Sequence, residues 1–470
     1  SRTVNAMIDR LSGLDQLMVR ASARWPQDIG ALAVLEGGPL LDADGRFRIE
    51  AVQAAIGAKL HLVPRFRQVI RVPPRGRGGP VWVDAPRFDI RDHVLVHSLP
   101  EGSGEADLLA ETEFLRRRRL DPSRPLWELW FMPGLADGRI AMFARLHHAI
   151  ADGMAAMSTI STLLDTVPDA IPAPARPWTP TPAPSDDDLL ADHLYGYLRK
   201  ARGGVSVLTR PRSTLQRART AWPAIRELLA EEPSSRTSLD RVVGPDRNLA
   251  IFRTGLGQVK DVAHAHQATV NDVVLASTAA GLGALLRGRG EPVEGTTVRI
   301  YVPVSLRRAG SGGPQRGNLI AQMAVPLPLG GTDPHRRLRG VSAETETRKA
   351  RSRTSLGVLI GGPIARRLML MAVMRQRVNV TSASIAGPTA PLYLAGARVI
   401  EVFPILPLIA NEPLGVGALS YAGALAIGIV ADRDAFPDLG VFAAGMRGEL
   451  EALGVRIAGD TPAAAPRGES

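Results

Sequence analysis

The chain has 470 residues, 45% of them apolar, which is enough for two domains with their own cores. It has no cysteine, and that excludes disulfides, a thiol nucleophile and cysteine-held metal or iron–sulfur centres. The net charge of +11 rests on arginine, since Lys59, Lys200, Lys260 and Lys349 are the only lysines. It points to an anionic partner such as acidic lipid or a phosphate-bearing cosubstrate; with 4% aromatics and no recognition motif, nucleic acid is not expected.

In chain order, residues 1–9 are charged and lack an apolar run, so no secretory signal is read there. Residues 11–18 make a short amphipathic opening, 31–36 a strand, 49–62 a helix by apolar spacing and 80–84 a second strand. Residues 106–115 are helical and run into four arginines, 116–119, readable as a solvated helix end or as a contact for phosphate or membrane. Turn chemistry over 120–125 precedes an alternating strand at 126–131, and a largely uncharged run at 139–145 reads as a buried strand.

That strand leads into Leu146-His147-His148-Ala149-Ile150-Ala151-Asp152-Gly153, and residues 154–164 then take helical spacing. Two adjacent histidines thus sit where a strand ends, and an acid followed by glycine where a helix begins. A neutral imidazole is the usual side chain for taking a proton from an alcohol, provided its tautomer is fixed. Asp152, four residues beyond His148, is the candidate to orient it. Adjacent residues on an extended strand face opposite ways, so the two histidines are not expected to share a metal.

Prolines at 168, 172, 174, 177, 180, 182 and 184 mark an extended connector that packs little core. Residues 189–229 are helical and basic with an apolar stripe, a pattern that suits either a lipid surface or a crossover packed on the protein. In the second half, 249–256 and 298–307 read as strands, 257–266 and the stretch from Thr269 as helices, and 377–388 as a strand and turn. Asn271 and Asp272 lie at a helix start, where capping alone would explain them. Ser305 and Arg307 are candidates for phosphate oxygens. The weakly charged run 413–431 is long enough to span a bilayer, but its glycines divide it into two buried strands. No Gly-x-Ser-x-Gly elbow, P-loop or strand-led dinucleotide fingerprint is present.

His147-His148-x-x-x-Asp152-Gly153 resembles the signature of the CoA-dependent acyltransferase superfamily. Pro125-Leu126-Trp127, the Thr-Val-Asn271-Asp272-Val-Val-Leu-Ala stretch and the order Val-Pro-Val-Ser-Leu-Arg then Gly317-Asn318 resemble its bacterial wax ester synthase/diacylglycerol acyltransferase branch. One departure stands out: where that family shows Asn-Val-Pro-Gly-Pro, this chain has Ser384-Ile-Ala-Gly-Pro388, and a hydroxyl at 384 has shorter reach and fewer donors than an amide.

The resemblance implies an α/β fold of two chloramphenicol-acetyltransferase-like half-domains with mixed sheets and an active-site tunnel between them. The expected layout is an N-terminal half at 1–166, a proline-rich linker and basic helical crossover at 167–240, a C-terminal half at 241–457 and a disordered tail at 458–470. The implied reaction is transfer of a long-chain acyl group from acyl-CoA, a cosubstrate rather than a bound cofactor, to diacylglycerol or a long-chain alcohol. His148 is the expected base, with Asp152 in orientation and His147 in packing or loop support. Gly153, Pro125, Leu126, Trp127, Asn271, Asp272 and Ser384 are expected to bind substrate or support the loop. No metal is expected, and the implied location is cytoplasmic, peripheral to the inner membrane or lipid droplets. The competing readings are an acyltransferase of condensation or polyketide type and a lipid-binding protein that has lost catalysis.

Overall fold

The computed structural model describes residues 8–151, 153–170, 174–209, 235–305, 320–359 and 378–458. The first part runs α1 (Gly13–Ala21), β1 (Asp28–Leu35), α2 (Ile49–Lys59), β2 (Gln68–Arg71), β3 (Val81–Asp84), β4 (Val94–Val96), α3 (Glu105–Arg117), β5 (Trp127–Pro133), β6 (Ile140–His147), α4 (Gly153–Thr162) and α5 (Asp186–Thr209). The second runs β7 (Arg247–Gly255), α6 (Leu256–Ala265), α7 (Val270–Gly288), β8 (Thr297–Ser305), β9 (Ile320–Pro328), α8 (Pro334–Leu359), β10 (Val378–Ala386), β11 (Tyr393–Leu394), β12 (Ala397–Ile405), β13 (Leu414–Tyr421), β14 (Ala424–Asp432), α9 (Leu439–Ala452) and β15 (Ile457–Ala458). Within the described residues, the strands and helices expected from periodicity are present within a few residues; positions 210–229 of the expected basic helix and 459–470 of the expected tail lie outside the described residues. The pairing strand β2 and the long polar helix α8 had no strong apolar period to announce them.

Two mixed sheets organise the chain, one ordered β11-β12-β1-β6-β5-β4 and the other β15-β7-β14-β13-β10-β8-β9. The sheets do not follow the division of the chain: β11 and β12 fall within 241–457 yet complete the first sheet, with β12 antiparallel to β1. To get there β12 crosses the inner face of the second sheet, and glycine makes the crossing feasible. A Cβ on Gly417 would lie 2.7 Å from Pro404 Cγ, and one on Gly428 would lie 2.0 Å from the Pro404 carbonyl oxygen. The run 413–431 is a hairpin, β13 paired with β14 and turned by Ala422 and Gly423 at φ 45° and 86°. Among the described residues no single helix is long and apolar enough to cross a membrane.

Alternation assigns the cores. Val298, Ile300 and Val302 of β8, Val380 of β10 and Leu414, Val416 and Ala418 of β13 pack under α7 and α9. The opposite face of the second sheet meets the first half: Ile385, Leu419 and Tyr421 join a core with Met142, Ala144 and Leu146 of β6 and Ala156 and Ile160 of α4.

The proline-rich connector is extended but not free of the protein, as the expectation of little packing had it. Trp178 receives the Arg67 guanidinium 5.3 Å from its ring centroid, the Thr181 N–H donates to Asp84 Oδ2 at 2.9 Å, and Arg71 pairs with Asp186 at 2.7 Å. A chain already preset by proline can dock through a few side chains without regular structure. The arginines 116–119 are also engaged: Arg116 with Glu113, Arg117 with Asp246, Arg118 over the Trp130 ring, and Arg119 with the Ala23 carbonyl. They tie the first half to the 245–246 loop rather than forming a bare cationic patch.

Candidate active site

β6 is buried along its whole length and ends on His147. Antiparallel pairing sets His147 opposite Asp28 and Leu146 opposite Ile29. The turn beyond is held by backbone bonds: the His148 N–H donates to the Gln27 carbonyl at 2.8 Å and the Ile150 N–H to the His147 carbonyl at 2.8 Å. α4 starts at Gly153, so the junction read from sequence is a strand, a tight turn and a helix. Asp152 lies outside the described residues.

The two histidines occupy different settings. His147 is 5% exposed, and both its ring nitrogens are engaged. Nδ1 accepts from the Ala149 N–H at 3.0 Å, which leaves the proton on Nε2 to be donated to Ser22 Oγ at 2.7 Å; Ser22 in turn donates to the Met18 carbonyl. Burial, with a smaller contribution from neighbouring His148, pushes the His147 pKa down to about 4, so the ring is neutral and fixed. It clamps the turn to α1. His148 is half-buried and follows Leu146 past the strand end.

The Pro125-Leu126-Trp127 element braces the same strand end from the other side. All three residues are buried, and the Leu126 carbonyl accepts the His147 N–H at 2.9 Å. The Trp127 ring is stacked between Phe66 and His93, with centroids 4.5 and 4.6 Å away, and its Nε1–H donates to the Phe66 carbonyl at 2.9 Å. This is loop support through packing.

Asn271 and Ser384, far apart in sequence, meet: Ser384 Oγ donates to Asn271 Oδ1 at 2.8 Å, joining the start of α7 to β10. The hydroxyl that stands at 384 therefore addresses the Asn271 amide. Asp272 is a structural residue rather than a substrate contact. It is 2% exposed, closes a capping box with Thr269 and accepts from Thr345 Oγ1 at 2.7 Å on α8. Arg307 lies outside the described residues. Among the described residues no group of three or more His, Asp or Glu is placed to hold a metal.

Beside the histidine turn lies a narrow cavity with an almost wholly apolar lining. Its wall alternates along β6 through Met142, Ala144 and Leu146, and continues on α4 through Ala156, Met157 and Ile160. Ile385 and Leu419 of the second sheet close it, so both halves contribute. Leu146 immediately precedes the two histidines and α4 immediately follows their turn. The alternation also sends His147, with Phe143 and Arg145, to the other face of β6.

That other face carries a buried charge cluster that the sequence reading missed. Arg145, 1% exposed, donates to Glu128 Oε2 at 2.7 and 3.0 Å and to the Arg116 carbonyl at 3.2 Å. Its guanidinium lies 3.8 Å from Asp28. Burial pushes Asp28 up to about 6 against the pull of Arg145. An arginine in an otherwise apolar strand, two residues before the histidine pair, was the available signal.

Residues 11–274 match the model for the wax ester synthase/diacylglycerol acyltransferase catalytic domain, and residues 316–454 the model for the C-terminal domain of that family. A Mycobacterium tuberculosis H37Rv protein carrying the name diacylglycerol O-acyltransferase tgs1 is 31% identical over 446 residues, 90% of each chain. Among solved structures, a wax ester synthase/diacylglycerol acyltransferase from Marinobacter aquaeolei VT8 superposes with a TM-score of 0.67 at 22% identity, covering 94% of this chain and 98% of the other. A starter condensation domain of rhizomide synthetase, in complex with C8-CoA, gives 0.60 at 16% identity over 95% and 94%. At those identities the structural likenesses establish the two-domain, chloramphenicol-acetyltransferase-like α/β fold.

Proposed function

The chain belongs to the wax ester synthase/diacylglycerol acyltransferase family, and from that premise we propose that it moves a long-chain acyl group from acyl-CoA to the hydroxyl of a diacylglycerol or a long-chain alcohol, with His148 as the base. The product is a triacylglycerol or a wax ester. The observation that carries the reading is the apolar cavity running from Leu146, at the threshold of the histidine turn, across to Ile385 and Leu419 of the other half. An apolar lining of this kind suits an alkyl chain, which needs no polar partners.

A ring nitrogen of His148 takes the acceptor hydroxyl proton as its oxygen attacks the thioester carbonyl. The tetrahedral adduct collapses, the carbon–sulfur bond breaks, and the imidazolium returns the proton to the departing CoA thiolate. No acyl-enzyme is needed. Asp152, by its place in the motif, orients the His148 ring, and His147 holds the turn. General base catalysis supplies ~10²–10⁴-fold in rate and positioning much of the rest.

The acceptor is water-insoluble, so the enzyme works at a lipid surface, in the cytoplasm at the inner membrane or a lipid droplet. Support comes from α5, where Leu194, Tyr195, Tyr197 and Leu198 are each more than half exposed. The sequence continues with Arg199, Lys200 and Arg202, a basic composition that suits anionic headgroups. Flotation with anionic and neutral vesicles tests this; failure to bind either rejects it.

The activity is tested with palmitoyl-CoA and, separately, hexadecanol and dipalmitoylglycerol, following release of CoA thiol. Thiol release that requires an alcohol and is lost in His148→Ala is expected. Absence of acceptor-dependent release with both alcohols rejects the proposal in favour of a lipid-binding protein.

A further inference from the structure

The inner face of the second sheet carries a polar cluster that the reaction above leaves unused. In β10, Thr381 and Ala383 are half-buried and point to the same face as Ile385, which lines the cavity. Thr381 pairs in register with Tyr301 of β8, while their neighbours Val380 and Ile300 point the other way, under α7. Thr381 Oγ1 donates to Glu412 Oε2. Glu412 is 8% and Tyr301 5% exposed, and the Tyr301 hydroxyl has no hydrogen-bond partner among the described residues. Arg299, two residues before Tyr301 on that face, is buried and already partnered.

Strand register locates this cluster along the cavity. Thr381 is abreast of Gly415 on β13, and a Cβ on Gly415 would sit 3.2 Å from Leu406. Leu406 follows Ile405, the partner of Gly30, and so stands level with Ile29 and Leu146. By register the polar cluster lies outside the cavity's lining, on the side of Leu406 and so toward the end where β6 runs into the histidines.

A buried hydroxyl without a partner among the described residues costs free energy, and its place on the Leu406 side of the cavity points to a group brought by the ligand. We propose that the Tyr301 hydroxyl, supported by Glu412 and Thr381, hydrogen-bonds an ester carbonyl of a glycerolipid acceptor and so selects diacylglycerol over a fatty alcohol. The proposal rests on the acyl-transfer reading above. A fatty alcohol has one polar group, and that group must be at His148. A diacylglycerol has two ester carbonyls besides its hydroxyl, and the tyrosine is a donor for one of them. Burial raises the Glu412 pKa to about 7, opposed by the Thr381 hydrogen bond, so near neutrality the carboxyl is partly protonated and suits an uncharged partner.

The test compares wild type, Tyr301→Phe and Glu412→Gln for transfer from palmitoyl-CoA to dipalmitoylglycerol and to hexadecanol, and for equilibrium binding of dioctanoylglycerol and decanol. Tyr301→Phe should lower kcat/KM for the diacylglycerol roughly tenfold, the worth of one buried hydrogen bond, and weaken dioctanoylglycerol binding by a similar factor. Values for the alcohols should stay within twofold, and Glu412→Gln should shift the same ratios less. Because the hydroxyl has no partner among the described residues, Tyr301→Phe should melt no lower than wild type. Equal losses on both acceptors, no loss on either, or a lowered melting temperature would overturn the subsite. If wild type transfers to neither acceptor yet binds dioctanoylglycerol in a Tyr301-dependent way, the subsite stands and the acyl-transfer reading falls.

Discussion

β6 and β14 hold the same place in the two halves. Each is the antiparallel partner of the strand that opens its half, β1 or β7, and of the strand before it, β5 or β13, and each is followed by a helix. Their ends differ in chemistry. β6 ends with His147 opposite Asp28, and the turn beyond it carries His148 beside an apolar cavity. β14 ends with Asp432 opposite Arg247, both almost fully buried and 3.5 Å apart. Asp432 also accepts the Gly244 N–H at 2.7 Å and the Ala435 N–H at 3.0 Å. One strand end is closed by charge pairing and capping; at the other, His147 is sealed away while the half-buried His148 follows in the turn. A repeated scaffold thus supplies two equivalent corners that the residues at the strand end make chemically different.

The largest expected effect tests the side of β6. His148→Ala should lower kcat by ~10²–10⁴-fold with the melting temperature near wild type; a variant retaining more than a tenth of the activity would end the assignment of the base. Asp432→Ala is the converse. Removing one member of a buried pair and leaving two backbone N–H groups and Arg247 uncompensated should cost roughly 3–5 kcal/mol in urea unfolding, while activity per folded molecule is kept. A matching fall in specific activity would show that the second corner is not merely structural.

His147 makes the next prediction, through pH. Its folded pKa of about 4 lies below the ordinary value of 6.5. The neutral ring therefore contributes stability that is complete above pH 6.5 and is lost as pH falls through 4, by roughly 3 kcal/mol over the window. Denaturation at stepped pH should show this fall, and His147→Gln should flatten it. An unchanged slope in the variant would mean that the ring is not the titrating group. The smallest effect belongs to the brace: Trp127→Phe, which orphans the Phe66 carbonyl, should cost about 1–3 kcal/mol of stability and change kcat less than threefold. A larger loss of kcat would move Trp127 from support to substrate contact.

The strands around the histidines, the helix after them and the hairpin at 413–431 were legible because their signals are local: an apolar period, a glycine, an acid at a helix start. The histidine motif was legible as candidate chemistry for the same reason, since its residues lie within one short stretch of sequence. Asp272 was left between capping and a substrate or loop contact because these use the same residue types at the same spacing, and the bond to Thr345 comes from 73 residues away.

By itself, the order of residues determined where chemistry is concentrated and which family the chain resembles, because motif spacing and side-chain period are properties of neighbouring residues. Tertiary structure alone decided which histidine is sealed, since Ser22 reaches His147 from 125 residues away. It alone placed β12 in the first sheet, joined Ser384 to Asn271 and set Tyr301 beside Thr381. The physical reason is that burial and hydrogen-bond partnership are set by strand register and by glycine-permitted crossings between segments far apart in the chain, and no local pattern records them.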